Sequence, residues 1–219
     1  MARRCHLPHV LKSPPELTEQ LQSFQSPVLN SNALTFVTAD VVGLYPSIPV
    51  DDALVTVRDF VAAHTSTEYA EVLFRWMVIV FTNALVSFKG RTYVQRHGFP
   101  MGTPLAPAAA NTFMAVKEDW LGLYGLQPLS DCFQSPDTQL ALFRRHIDDY
   151  TIILLHATDA DVQALYNELA QRIKSHLSIE LQHNLNDMVT LDLHVRKCSL
   201  EQQAHSSRRR MPSLDTVSS

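Results

Sequence analysis

At 219 residues, 46% hydrophobic and 18% charged, the chain is long enough for one medium globular domain and hardly for two. That balance excludes an intrinsically disordered chain, and the longest apolar run, Trp76 to Phe81, is far too short for a membrane span. The formal charge of −4 means that nucleic-acid binding would have to come from a local patch rather than from the overall balance.

The N-terminus, Met-Ala-Arg-Arg-Cys-His, is basic, but no hydrophobic stretch follows, so no signal peptide is expected. Cys5, Cys132 and Cys198 are far apart and odd in number, which points to reduced thiols inside a cell. Cys5, His6 and His9 have metal-ligand chemistry, but no second ligand pair follows at finger-like spacing, so zinc is not expected there. Residues 1–33 are polar and rich in Pro, Ser and Gln, with a weak helix over Glu16–Phe24. Leu34 to Val41 reads as a strand, with Val37, Ala39 and Val41 on one face and Phe36, Thr38 and Asp40 on the other. A carboxylate late in an apolar strand is costly to bury unpaired, so Asp40 should reach an open edge or a cation.

Gly43 and Pro46 break the strand, and Pro49 starts a helix with Asp51 and Asp52 in its first turn. Leu54, Val57, Phe60 and Val61 give it one apolar face. Thr65 and Glu68 fit a capping box before a second helix, Tyr69 to about Val86, whose Trp76–Phe81 run predicts burial nearly all round. Phe88 to Gln95 reads as a short hairpin turning at Gly90. A glycine-proline loop, Gly98 to Pro107, leads into a helix from Ala108 to about Leu123, whose start is ambiguous between Thr103-Pro104 and Ala106-Pro107. Residues 122–136 are loop-like.

Leu140–Ile147 and Thr151–Leu155 read as antiparallel partners that leave Asp148 and Asp149 at or near their turn. Asp-Asp in a turn is ordinary by itself, since Asp tolerates turn backbones. Thr158 and Asp161 then open a helix with a stripe of Val162, Leu165, Leu169, Ile173 and Leu177. Ile179–Leu181 reads as a strand, and Val189, Leu191, Leu193 and Val195 alternate as another. From about Cys198 the chain is polar, carries Arg208-Arg209-Arg210 and should be disordered. The order suits an α+β domain, a small antiparallel sheet with helices on one face. In such a sheet Asp40 and Asp148 converge, and crowded carboxylates call for a divalent cation. Few hard oxygen ligands favour Mg²⁺, which keeps its other sites for water and phosphates.

These residues carry a resemblance. Thr38-Ala39-Asp40-Val41-Val42-Gly43-Leu44-Tyr45-Pro46-Ser47-Ile48-Pro49 resembles the first palm motif of reverse transcriptases, and Gly98–Pro107 with Asn111 in its helix resembles the next. His146-Ile147-Asp148-Asp149 is similar to their Asp-Asp hairpin, and Val189-Thr190-Leu191-Asp192-Leu193 to the strand that follows in Penelope-like retroelements. The motifs lie in the family's order over residues 34–196. The resemblance implies a polymerase palm over 34–196, a remnant of fingers or linker over 1–33, and a disordered polar tail over 197–219.

It further implies an RNA-directed DNA polymerase acting by two-metal nucleotidyl transfer from dNTPs to the 3′-hydroxyl of a primer on an RNA or DNA template. By that correspondence Asp40 and Asp148 ligate both Mg²⁺ ions, with Mn²⁺ as substitute, helped by the Val41 carbonyl and with Asp149 as third carboxylate. Tyr45 lies under the incoming sugar, and Met101 and Gly102 beside its base and phosphates. His146 departs from the family, which usually has an aromatic there. Only 39 residues precede Asp40 and no thumb follows Val195, so fingers and thumb are expected from a longer chain. The alternative is a truncated, non-catalytic retroelement relic with weak nucleic-acid binding. A different two-metal enzyme, such as a nuclease, has no need of the Gly98–Pro107 loop or of Tyr45. No membrane partner is expected. The site of action is intracellular, and nuclear if Arg208–Arg210 serves as a signal rather than as a nucleic-acid contact.

Overall fold

The computed structural model describes residues 7, 9–23, 33–118, 132–173 and 177–196. Cys5, His6, the Arg208–Arg210 cluster, the tail from 197 and most of the 122–136 loop lie outside the described residues. The elements are α1 (Pro14–Ser23), β1 (Leu34–Val42), α2 (Leu44–Ser47), α3 (Val50–His64), α4 (Thr67–Thr82), β2 (Leu85–Phe88) and β3 (Arg91–Val94). Then come α5 (Leu105–Lys117), β4 (Gln139–His146), β5 (Asp149–Leu155), α6 (Asp159–Ile173), β6 (Ser178–Asn184), β7 (Asp187–Thr190) and β8 (Leu193–Arg196). None of the described helices is long and apolar enough to cross a membrane.

Four strands form one antiparallel sheet in the order β4-β5-β1-β6, with the first strand of the chain in its interior. The period-2 pattern of β1 sorts its side chains as the sequence indicates. Val37, Ala39 and Val41 join the main core with Tyr150, Ile152 and Leu154 of β5, under helices α3 to α6. Phe36 faces the other way, into a smaller core with Leu11, Leu17, Leu142, Ile153 and Met188. The second face is therefore covered at that end, by α1 and the β7–β8 hairpin, and left open toward Asp40. Thr151 and Thr190 tie β5 to β7 through their hydroxyls, 2.7 Å apart.

Helix α6 buries Val162, Leu165, Leu169 and Ile173, and Leu177 beyond its end joins the same core, as the stripe predicts. Its start is a reciprocal cap, since Asp161 N donates to Thr158 Oγ1 while Thr158 N donates to the Asp161 carboxylate. Helix α5 starts at Leu105, after Thr103-Pro104, which resolves the ambiguity toward the first proline. The hairpin turns at Lys89 and Gly90, both at positive φ.

Three expectations need correction. Helix α4 is capped by Ser66, which accepts from Tyr69 N, and ends at Thr82, so Leu85 and Val86 belong to β2. It is not buried all round. Met77 and Phe81 face the core, but Trp76 is 60% exposed and Tyr69, Val72 and Ile79 are exposed with it, because neighbours cover only one side. The Val189–Val195 alternation is not one strand but a hairpin that turns at Leu191 and Asp192, both at positive φ. Asp accepts that backbone readily, and the turn lets both arms lie over the smaller core.

Candidate active site

The site grows from the end of β1. Asp40 pairs with Asp149 of β5 on one side and with Glu180 of β6 on the other, while Asp149 pairs in turn with His146 of β4. Directly opposed residues in an antiparallel sheet point to the same face. Glu180, Asp40, Asp149 and His146 thus stand in one row across all four strands, on the open end of the second face. Asp148 occupies the connecting turn, and its carbonyl accepts from Val41 N at 3.1 Å, which locks the turn to the end of β1.

Crowding shows in the electrostatics. Burial pushes the Asp40 carboxyl up, and the charges of Asp148 and Glu180 push it further. Asp149 is raised by burial and by Asp148, Asp40 and Asp192, against which His146 pulls it down. None of Asp40, Asp148 and Asp149 makes an ion pair with a Lys or Arg among the described residues. Uncompensated carboxylates of this kind fit a divalent cation. They converge as pairs, however, since no group of three or more His, Cys, Asp or Glu side chains among the described residues is gathered for a metal.

Tyr45 stands on the single turn α2, just after Gly43 takes the left-handed backbone that ends β1. It is half-buried against the main core, and burial together with the Asp148 charge raises its phenol. The glycine-proline loop docks on it, with Phe99 N donating to Tyr45 O at 2.7 Å. Only glycine fits at Gly98, where φ is +71° and a Cβ would sit 2.5 Å from Pro46 Cα. Gly102 is also at positive φ, with open space around it, and the Met101 side chain is 72% exposed. The loop therefore lies by Tyr45, with the Met101 side chain largely in solvent.

Beneath the carboxylates lies a buried cluster that residue patterns do not reveal. Glu118, at the end of α5, accepts from Arg145 Nε at 2.6 Å and from the Tyr150 hydroxyl, and lies 2.6 Å from His9 Nε2. Arg145 Nη1 also donates to Asn111 Oδ1 at 2.8 Å and to the Ile147 carbonyl at 2.7 Å. Ile147 is the turn residue held at positive φ, an unfavourable backbone for a β-branched side chain. Arg145 thus fastens the carboxylate turn to α5. Burial pushes Glu118 up, but Arg145 and His9 outweigh it and leave the carboxyl below its ordinary value. The available signal was that Arg145 falls at a core-facing position of β4, but its partner Glu118 lies 27 positions away. His9 is engaged by Glu118, which speaks against the Cys5-His6-His9 group as a ligand set.

No protein-family model and no curated protein matches the chain. Solved structures do. The apo telomerase of Candida tropicalis truncated from its C-terminal domain superposes with a TM-score of 0.59 at 12% identity, over 86% of this chain and 39% of that one. Telomerase from Candida albicans in complex with a fragment of telomeric RNA gives a TM-score of 0.60 at 10% identity, over 86% and 33%. The BmCPV RNA-dependent RNA polymerase at its elongation state gives 0.52 at 13% identity, over 85% and 17%. The likeness defines a polymerase palm-like fold, and the chain spans well under half the length of the polymerases it matches.

Proposed function

We propose that the chain is the catalytic palm of an RNA-directed DNA polymerase, most like those of Penelope-like retroelements, which extends a primer with dNTPs on an RNA or DNA template. The observation that carries this reading is the convergence of Asp40, Asp148 and Asp149 at the open end of the sheet, with Tyr45 and the Gly98–Pro107 loop beside them. Asp40 and Asp148 would hold Mg²⁺ or Mn²⁺ with the Val41 carbonyl, and Asp149 is the third carboxylate. When bound, the cations supply charge that favours the ionised primer hydroxyl and the leaving pyrophosphate. The chain's own part is to hold those carboxylates uncompensated at the end of β1 and on the β4–β5 turn beside it, which Val41 N and Arg145 fix. Tyr45 orients the sugar, and Met101 and Gly102 offer an exposed side chain and open backbone to the base and phosphates.

A primer-extension assay with Mg²⁺ or Mn²⁺ tests this. Metal-dependent extension that falls at least 100-fold in Asp148→Asn is expected, on the scale of losing a group that stabilises transition-state charge. Mn²⁺ binding followed by electron paramagnetic resonance should weaken in Asp40→Asn as well. The competing reading is a non-catalytic relic, favoured by the absence of any group of three or more potential metal ligands gathered together among the described residues. A folded chain that binds Mn²⁺ weakly or not at all and never extends a primer decides for the relic.

A further inference from the structure

We propose that the β2–β3 hairpin is a docking surface for single-stranded nucleic acid, leading into the site from the Gly98 side. The inference deepens the polymerase reading by assigning the unpaired template a surface, and it rests on observations separate from the carboxylates.

The first observation is charge. Residues 72–117 contain five Lys or Arg (Arg75, Lys89, Arg91, Arg96, Lys117) and no Asp or Glu, in a chain whose formal balance is −4. Three of the five lie on or just after the hairpin. A polyanion approaching the described part of this acidic protein finds an attractive field here.

The second is the register. Val86 pairs with Tyr93 and Phe88 with Arg91, so these four side chains share one face. Phe88 is 59% exposed and Tyr93 49%, with Lys89 Nζ 5.3 Å from the Phe88 ring centroid. All eight strand residues are exposed, and a two-stranded hairpin open on both faces is marginal on its own. Two outward rings beside cations make a stacking platform that any base satisfies, since every base has a π-face.

The third is continuity. Gln95 Nε2 donates to the carbonyls of His97 and Gly98, folding the end of the hairpin onto the loop that docks against Tyr45. A cleft of about 540 Å³ lies at this junction, and Pro46, Gln95, Arg96, His97 and Gly98 are among its lining residues, with Asp51 as its acidic member. A strand stacked on Phe88 and Tyr93 runs past Arg96 and His97 toward Tyr45. A duplex has its bases already stacked and offers the rings nothing, so the surface selects single strands.

The experiment is fluorescence anisotropy of the intact chain with a labelled 12-nucleotide oligopyrimidine, as RNA and as DNA, in EDTA so that catalysis and metal play no part. The double variant Phe88→Ala, Tyr93→Ala should weaken binding at least 5-fold, and up to about 100-fold for one fully stacked base. Arg91→Gln should reduce the slope of log affinity against log salt by about 0.7, the value for one phosphate contact on a single strand. Both substitutions are at exposed positions, and circular dichroism confirms folding. Unchanged single-strand affinity in the aromatic variant overturns the proposal. So does a hairpin that serves as an interface between copies, seen as a change of sedimentation in the variant with no change in binding. Binding retained with extension absent in every form refutes the polymerase reading and leaves this surface standing.

Discussion

One substitution separates a packing role for Tyr45 from the proposed role under the incoming sugar. Its ring is half-buried against the core, yet it lies within the field of Asp148 and under the Gly98 loop. If the ring floors the sugar pocket, it excludes a 2′-hydroxyl by steric clash, a discrimination built against the wrong substrate. Tyr45→Val should then raise ribonucleotide relative to deoxyribonucleotide incorporation in a primer-extension assay, with Mn²⁺ affinity retained. An unaltered ratio in a folded variant removes the gate. Arg145 makes a different prediction. Replacing it with Met leaves Glu118 buried without its cation and frees the Ile147 carbonyl, and should cost about 3–5 kcal/mol in urea unfolding. Tyr150→Phe removes one neutral donor from the same carboxylate and should cost about 1–2 kcal/mol. Equal losses would show that the cluster is mere packing.

Among the elements, α6 is anchored by one carboxylate. Burial pushes Asp161 up, but hydrogen bonds from Thr158, Ser135 and Thr138 overcome it and hold the group far below its ordinary value. A depressed carboxyl contributes stability that is complete above its unfolded value near 4 and is lost as pH falls below that. Asp161→Asn should therefore cost about 1–3 kcal/mol at pH 7. The gap to the parent chain should shrink steadily in melts below about pH 4. The Thr158–Asp161 pair was legible in the sequence as a helix start, because a capping box is a local device. That Gln134 and Ser135 of a distant loop also donate to Asp161 was not. The same division holds for β7 and β8, where strict alternation of Val189 to Val195 concealed a turn set by packing over Phe36 and Ile153.

Among the described residues, Lys89, Arg91 and Arg96 cluster on and just after one hairpin, in a stretch of sequence without acidic residues, while the row at the site is acidic. Phosphate contacts supply most non-specific affinity, so binding of a primer-template duplex should be weak and lost at moderate salt. Anisotropy with a labelled duplex across a salt series measures this, and tight, salt-resistant binding would contradict it.

The sequence by itself determined the alternation of β1, the stripe of α6, the turn at Gly90 and the placing of Asp148 and Asp149 at a hairpin tip. Each depends on periodicity or turn chemistry among residues within one element, where side-chain direction follows from the backbone. Tertiary structure alone decided that Glu180 and His146 join the row of carboxylates, that Trp76 stays outside, and that His9, Glu118 and Arg145 meet in the core. Whether a polar group is satisfied, or an apolar one covered, depends on which distant element arrives beside it, and no local pattern records that.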